Sequence, residues 1–215
     1  MRVPPGRHPL SREFIAQHQR TRIIEALAAE IEERGYRAVT VADIVRRAGV
    51  ARNTFYENFS SKEGCFLAAS EYAVQEALRR VLEAADGVEG WPAQVRAGLA
   101  AFLGYVATEP ALARTCIVEA LSAGPAAIER YERSIQAFVP FFRIGRDAAS
   151  GGGELPQTLE ETIVGGIFWI LYQRIVMGQV GQIEELLPEL VEFALTPYLG
   201  AAAAKQAAAE PSPAN

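Results

Sequence analysis

The residues that most constrain the fold are 40–63, where two short helical patterns meet at a glycine and a third pattern begins. They read TVADIVRRAGVARNTFYENFSSKE. Thr40 followed by Asp43 is typical of a capping box. The apolar residues of the first pattern have the spacing of one buried helical face: Val41, Ile44, Val45 and Ala48. Gly49 suits the left-handed position at a helix end, so a second helix is predicted over 51–58. This layout predicts a helix-turn-helix, which makes DNA binding the leading hypothesis.

The second helix is predicted to bury Phe55 and Phe59, which are four residues apart, and to expose polar side chains on its other faces. These polar residues are Arg52, Asn53, Thr54, Tyr56 and Asn58. The first residues of a recognition helix reach base edges, so Arg52, Asn53 and Thr54 are predicted to read sequence. The alternative is that they contact only phosphate or solvent. Ser60 and Glu63 indicate a second capping box, at the start of a helix whose first turn carries Lys62.

This stretch resembles the DNA-binding segment of the TetR family of bacterial transcription regulators. The family's recurring elements stand here as T-V-A-D-I at 40–44, A-G-V at 48–50, T-F-Y-x-x-F at 54–59 and S-K-E at 61–63. The resemblance runs from Ile23 to Cys65, and it implies phosphate contacts from Thr40, Tyr56 and Lys62. It also implies a repressor whose larger domain holds a ligand cavity. The predicted DNA-binding residues are Thr40, Arg52, Asn53, Thr54, Tyr56, Asn58 and Lys62.

Two positions depart from the family pattern. Ala51 stands where serine is usual, and the loss of a side-chain cap costs about 0.5 to 2 kcal/mol of helix stability. Asn58 stands where histidine is common, and it keeps the capacity to form hydrogen bonds. Neither change removes the helix-turn-helix pattern.

The charge of the chain is divided unevenly along its length. The net charge is -5, yet residues 1–65 hold 11 Lys and Arg against 8 Asp and Glu. The remaining residues hold 10 against 18, so the two parts carry +3 and -8. The basic part coincides with the predicted helix-turn-helix, which is the pattern expected of a protein whose partner is double-stranded DNA.

Helical periodicity continues along the chain without an alternating strand pattern, so the predicted fold is all-α. Further helices are predicted at about 11–34, 61–85, 91–108, 111–122, 126–149, 156–177 and 181–199. The predicted organisation is a flexible basic arm at 1–10, a helix-turn-helix domain at 11–65, a larger effector-binding and dimerisation domain at 66–200 and a disordered tail at 201–215. Arg2 and Arg7 of the arm are candidates for minor-groove contact, against the alternative of a disordered tail.

The larger domain carries many aromatic residues, and the resemblance implies a cavity among them. Candidate wall residues are Tyr105, Cys116, Phe142, Trp169 and Gln173, with ordinary core packing as the alternative. The scarcity of charge among these residues favours an apolar, flat or aromatic small-molecule effector over a metal ion or a phosphorylated compound.

Residues 159–177 and 183–199 carry more apolar surface than one neighbouring helix can cover, which predicts a homodimer. The predicted interface residues are Ile163, Ile167, Ile170, Leu171, Leu186, Leu190, Phe193 and Ala194. Gly165 and Gly166 would permit close helix approach, and a packed monomer core is the alternative. A dimer would place two recognition helices about 34 to 36 Å apart, in successive major grooves.

No catalytic residue, metal ligand or cofactor is predicted. Cys65 and Cys116 lack metal-site spacing, and His8 and His18 lie in the arm and the first helix, away from any nucleophile. The chain is therefore expected not to be an enzyme. The alternative to a regulator is a helical adaptor whose larger domain binds a protein partner.

No apolar run opens residues 1–19, and the longest apolar block, 163–172, is shorter than the about 20 residues that a bilayer requires. No membrane partner is therefore expected. With only two cysteines, a reducing cytoplasm is the expected compartment.

Overall fold

The computed structural model describes residues 12–148 and 155–210, and within these ranges the regular secondary structure is helical, as predicted. The first four helices are α1 (Arg12–Arg34), α2 (Val41–Ala48), α3 (Arg52–Asn58) and α4 (Lys62–Ala85). The larger part contains α5 (Trp91–Thr108), α6 (Pro110–Ala113), α7 (Pro125–Arg143), α8 (Gly145–Ala148), α9 (Leu159–Val176), α10 (Leu187–Leu199) and α11 (Ala201–Ala209). A π-helical turn at Arg114–Val118 and 3-10 turns at Tyr36–Ala38, Glu119–Ser122 and Val180–Leu186 complete it.

The ends of α2 follow from local hydrogen bonding. Thr40 Oγ1 accepts from the Asp43 amide at 3.3 Å, and the Asp43 carboxylate accepts from the Thr40 amide at 3.0 Å, which completes the predicted capping box. Gly49 ends the helix with φ 62° and ψ 38°, in the left-handed region where a side chain is disfavoured. The turn to α3 is thus fixed at both sides.

The start of α4 differs from the prediction. Ser61, and not Ser60, caps this helix, and its hydroxyl accepts from the Gly64 amide at 3.0 Å. A serine oxygen reaches the amide three residues ahead only from the residue that directly precedes the helix. Ala51 caps α3 without any side-chain bond, as its methyl group requires.

The N-terminal core lies between α1 and the helix-turn-helix. Its largest fully buried side chains are Ile23, Leu27, Ile31, Ile44, Phe55 and Phe66. Three residues from beyond α4 join the same cluster: Leu112, Ala120 and Ala127. The predicted boundary at residue 65 falls inside α4, which continues unbroken into the larger part and contributes to both cores.

Arginine side chains of α1 and α2 bind the short helices together. Arg20 donates to the carbonyl of Asn58 at 3.1 Å, and Arg22 donates to the carbonyl of Ala48. Both carbonyls lie at a helix C-terminus, where orphan acceptors and the helix dipole favour a cation. Arg47 of α2 pairs with Glu30 of α1 at 2.8 Å and also with Glu33. These contacts hold α2 and α3 against α1.

The larger core is formed by α4, α5, α7, α9 and α10 around aromatic and branched residues. Phe141 lies directly on Gly98, where an added Cβ would be 2.7 Å from its ring. Only glycine permits this approach of α7 to α5.

A buried ion pair closes one side of this core. The Arg146 guanidinium donates to the Glu160 carboxylate through Nε at 2.6 Å and Nη2 at 2.9 Å, and the Tyr198 hydroxyl donates to the same carboxylate at 3.0 Å. Because Glu160 is fully buried, these donors supply the hydrogen bonds that water would otherwise provide.

The predicted disordered tail is wrong for residues 201–209, which form α11. Ala204 and Ala208 of this helix are buried in the larger core, and Arg96 of α5 donates to the Ala208 carbonyl at 2.7 Å. Alanine has the highest helix propensity, and a row of small side chains packs closely, so low complexity here does not mean disorder. Residues 211–215 and the arm at 1–10, with Arg2 and Arg7, lie outside the described residues.

Most of the predicted dimer residues belong to the protomer's own core. The buried ones are Ile163, Ile167, Leu171, Leu186, Leu190 and Ala194. Of the predicted set, Ile170 is half-buried and Phe193 is 46% exposed. The prediction was wrong for the six buried residues because α9 and α10 use their most apolar faces against α5 and α7. None of the helices in the described ranges combines the length and apolarity needed to cross a membrane.

Candidate nucleic-acid interface and ligand cavities

The exposed face of α3 is built by burying the opposite face. Phe55 is 0% and Phe59 5% exposed, and their rings pack at 5.7 Å between centroids. This packing turns Arg52, Asn53 and Tyr56 outward, and all three are exposed. The structure thus brings together three predicted DNA-binding residues on one solvent-facing surface, which we call the α3 face.

Arg52 and Tyr56 are paired on the α3 face, one helical turn apart. The guanidinium lies 5.7 Å from the centroid of the tyrosine ring, and Nη2 lies 3.4 Å from the hydroxyl. This contact is long and exposed, so it orients the arginine without holding it. Both side chains keep donors for a ligand, and the guanidinium retains the planar fork that binds guanine or phosphate in pairs.

Thr54 and Asn58 are less accessible than predicted, and both are half-buried. The Asn58 side-chain amide donates to the Thr54 carbonyl at 2.8 Å, inside its own helix. Asn58 therefore stabilises the end of α3, and part of its hydrogen-bonding capacity is used there.

Lys62 has a structural role that the sequence did not indicate. Its Nζ donates to the carbonyls of Tyr36 at 2.9 Å and Val39 at 2.8 Å, and it lies 4.1 Å from the centroid of the Tyr36 ring. Burial lowers the pKa of this ammonium. Lys62 thereby joins the start of α4 to the turn that precedes α2. The Thr40 hydroxyl is similarly engaged, since it donates to the Asp43 carboxylate at 2.6 Å.

The accessible positive charge of the N-terminal part is smaller than its composition indicates. Arg20, Arg22, Arg34, Arg47 and Lys62 bind carbonyls or carboxylates of the chain itself. Arg37, Arg46 and Arg52 are exposed, and Arg46 pairs with Asp43 at 2.8 Å. Arg37 follows Tyr36 in the turn before α2, which adds it to the candidate phosphate contacts. Its only sequence signal was its place next to the helix-turn-helix.

Two small cavities lie in the core of the larger part, each of about 20 Å³. The first lies between α5, α7 and α9 beside Phe142, and the second lies between α4, α5 and the π-helical turn beside Tyr105 and Cys116. Phe102, Phe138 and Phe168 line both cavities and form the wall between them. Three of the five predicted wall residues, Tyr105, Cys116 and Phe142, therefore lie at a cavity.

The other two predicted wall residues lie elsewhere. Leu171 and Ile175 of α9 point into the core, and Trp169 and Gln173 are on the opposite side of that helix, where Trp169 is 54% exposed. The prediction was wrong for these two because aromatic content alone does not show which face of an apolar helix is buried.

An aromatic groove lies on the outside of α9 and α10. It has a volume of about 360 Å³, and Trp169, Ile170, Leu190 and Phe193 line it together with Arg174 and Glu189. The Trp169 ring stacks on Tyr172 at 5.5 Å with an angle of 7°. Next to this groove, Gly165 has no heavy atom within 4 Å of a Cβ built on it. The predicted pair of small residues thus borders an open surface.

One hydrogen bond joins the second cavity to the helix-turn-helix. Cys116 and Ile117 of the π-helical turn line the cavity, and Glu119 follows them. The Glu119 carboxylate accepts from the Tyr36 amide at 3.1 Å and lies 3.8 Å from Arg114. The Tyr36 carbonyl in turn accepts from Lys62. A displacement of the π-helical turn therefore reaches the turn before α2 through a single residue.

Residues 23–69 match the family model described as bacterial regulatory proteins, tetR family. This segment begins within α1 and ends within α4. Over 74 residues the chain is 27% identical to the uncharacterized HTH-type transcriptional regulator YerO of Bacillus subtilis (strain 168). That match covers 34% of this chain and 26% of YerO, so the chain spans about a quarter of this curated relative.

Solved structures with a similar fold include the transcriptional regulator FadR from Bacillus subtilis in complex with stearoyl-CoA. Its TM-score is 0.70 at 17% identity, over 84% of this chain and 98% of that one. The fatty acid degradation regulator FadR from Bacillus halodurans gives 0.67 at 17% identity, over 79% and 94%. The TetR family transcriptional regulator PfmR from Thermus thermophilus gives 0.60 at 19% identity, over 82% and 97%. By its DNA-binding segment and by its fold, the chain belongs to the TetR family of bacterial regulatory proteins, which are not enzymes.

Proposed function

We propose that this protein is a ligand-responsive transcriptional repressor that binds a palindromic operator as a homodimer. The observation that carries the proposal is the α3 face, where Arg52, Asn53 and Tyr56 are exposed while Phe55 is completely buried. An arginine and an asparagine at the start of a recognition helix match the donor and acceptor patterns of guanine and adenine in the major groove. Exposed Arg37 and Arg46 and the hydroxyl of Tyr56 would supply phosphate contacts.

The outer surface of α9 and α10 supports the dimer. Trp169 and Phe193 are large apolar side chains that are about half exposed, and the aromatic groove lies between them. Exposed apolar surface of this kind is typical of a protein interface. A two-fold axis through it would pair the same groove on both protomers and leave the two α3 faces free for successive major grooves.

The two core cavities support an apolar effector. Their walls consist of aliphatic and aromatic side chains with the hydroxyl of Tyr105 and the thiol of Cys116. The FadR neighbour from Bacillus subtilis was solved with stearoyl-CoA, whose acyl chain is a long apolar group. We propose a ligand with an apolar chain for this protein as well. Cavities of about 20 Å³ hold little more than a water molecule, so binding would require the phenylalanine wall to move.

Such movement is the proposed source of regulation. A ligand that separates the walls would displace the π-helical turn, and the bond from Glu119 to the Tyr36 amide would transmit this displacement to the turn before α2. The continuous helix α4 offers a parallel route, because it lines the second cavity through Ala73, Val74 and Ala77 and begins at Lys62. To convert most molecules to a released form, the ligand must prefer that form by several kcal/mol.

Selection of bound fragments from random duplex DNA would test the DNA-binding part of the proposal. We expect fragments with two inverted half-sites whose centres are about one helical turn apart. Arg52→Ala should weaken capture and relax the preferred base at one position in each half-site, and the exposed Glu57→Ala of the same helix is the matched control. Failure to retain any duplex at low salt would refute the proposal, and retention of single, unpaired half-sites would refute the dimer.

A further inference from the structure

The hydroxyl of Tyr105 is a buried polar group without a partner among the described protein atoms. Tyr105 is 4% exposed, and its Oη has no hydrogen-bond acceptor or donor within reach. Its ring belongs to the wall of the second cavity. Buried hydroxyls are normally hydrogen-bonded, because an unpaired one costs the free energy of its lost hydration. Phenylalanine, which the wall already uses at three positions, would fill the same place without this cost.

The position of the hydroxyl is related to the Cys116 thiol, which lines the same cavity. Burial raises the pKa of Tyr105, and the next contribution to this rise comes from Cys116. The thiol itself lies 3.9 Å from the Ser70 carbonyl, and the Ser70 hydroxyl is a further buried group without a protein partner. Polar atoms therefore converge at the end of the second cavity that is bounded by α4, α5 and the π-helical turn.

The remainder of the wall defines the rest of the ligand. Every other residue that lines the two cavities is apolar. The cavities adjoin along Phe102, Phe138 and Phe168, so rotation of these rings would join them into one elongated space. An elongated apolar group fits such a space, with its end beside Tyr105.

The charge near Tyr105 indicates that this end of the ligand is neutral. Arg80 lies 4.8 Å from the centroid of the Tyr105 ring, but its Nε donates to the Glu76 carboxylate at 2.8 Å. No acidic or basic side chain is among the lining residues of either cavity in the part of the chain that the structure describes. A carboxylate at this point would lose its hydration without gaining a counter-ion.

We propose that Tyr105 is the specificity-determining residue of the effector site, and that it donates a hydrogen bond to a neutral acceptor at the end of an apolar chain, such as a ketone or ester oxygen. The inference rests on the proposed function in one respect, namely that the larger part binds a small molecule. It adds which end of the ligand is polar, which chemical group that end carries and which side chain recognises it.

Two probes of equal shape test this assignment by isothermal titration calorimetry on the full chain. They are 2-undecanone and 2-methyl-1-undecene, in which a CH₂ group replaces the ketone oxygen. We expect the wild-type protein to bind the ketone about tenfold more tightly than the alkene, as one buried hydrogen bond allows. Tyr105→Phe should bring the two affinities to within about twofold by weakening the ketone alone, and its melting temperature should not fall.

Tyr131→Phe is the matched control. Tyr131 packs on Phe168 at 6.0 Å between ring centroids but is not among the lining residues of either cavity, so this variant should keep the ketone preference. Equal affinity of the two probes for the wild type, or a preference that survives Tyr105→Phe, would overturn the role of Tyr105. Binding of neither probe would overturn the ligand class. Capture of operator fragments by the same preparations separates either failure from a failure of the proposed DNA-binding function.

Discussion

Lys62→Met would test whether this lysine stabilises the helix-turn-helix or only contacts DNA. Methionine keeps an apolar stem of similar length but removes the ammonium that donates to the Tyr36 and Val39 carbonyls. A hydrogen bond from a charged donor contributes about 1.5 to 3 kcal/mol, and the contact with the Tyr36 ring adds about 0.5 to 2 kcal/mol. Less the desolvation of the ammonium, the expected loss in unfolding free energy is about 2 to 4 kcal/mol.

Urea denaturation followed by far-UV circular dichroism, without DNA, measures this loss, and amide hydrogen exchange in α2 locates it. Arg46→Met is the control, because the exposed pair of Arg46 with Asp43 should contribute less than about 1 kcal/mol. The structural role would be refuted if Lys62→Met left the urea midpoint and the exchange of α2 unchanged. In that case a salt dependence of DNA binding reduced by about one phosphate contact would assign Lys62 to the DNA backbone alone.

Four further outcomes are expected. Arg52→Ala should weaken operator binding by about 1 to 3 kcal/mol at an unchanged melting temperature, whereas Phe55→Ala should cost about 3 to 5 kcal/mol of stability; equal melting of the two variants would contradict these assignments. Glu119→Gln should preserve effector affinity measured by calorimetry but reduce at least severalfold the ratio of operator affinities without and with effector, and an unchanged ratio would remove Glu119 from the coupling route. Burial raises the pKa of Glu160, but the hydrogen bonds from its two donors lower it more, so the net pKa is lowered. The stability that this carboxylate contributes should therefore be present above about pH 4.3 and be lost as the pH falls further; Glu160→Gln, less stable at pH 7, should lack this acid dependence in thermal melts, and parallel pH profiles would refute the role. Trp169→Glu should convert the dimer to a monomer in sedimentation at micromolar concentration without lowering helix content, and a dimer that persists would place the interface elsewhere.

The ends of the helices could be predicted from the sequence because they depend on local chemistry. Thr40, Gly49, Pro110 and Pro125 act through a cap, a left-handed backbone or a missing amide donor, and each of these effects depends on neighbouring residues only. The burial of Phe55 followed in the same way from its spacing to Phe59. These local rules also place Arg52, Asn53 and Tyr56 on a common exposed face.

The roles of Lys62, Trp169 and Leu171 could not be predicted with the same rules. Lys62 is held by carbonyls more than twenty positions earlier in the chain, and no local pattern reports such a contact. In α9 nearly every residue between 163 and 172 is apolar, so periodicity does not separate the face with Leu171 from the face with Trp169. Only the packing of α9 against α5 and α7 decides which face becomes core.

The cluster around α1 has a consequence for how the molecule can be divided. Leu112, Ala120 and Ala127 come from the far side of α4, yet they complete the interior beneath the operator-reading helices. A fragment cut after residue 69 would lack these side chains and would expose to water the apolar atoms that they cover. The reading head is thus not a self-sufficient module, and grafting it onto another regulator would require that the recipient rebuild the missing part of its interior.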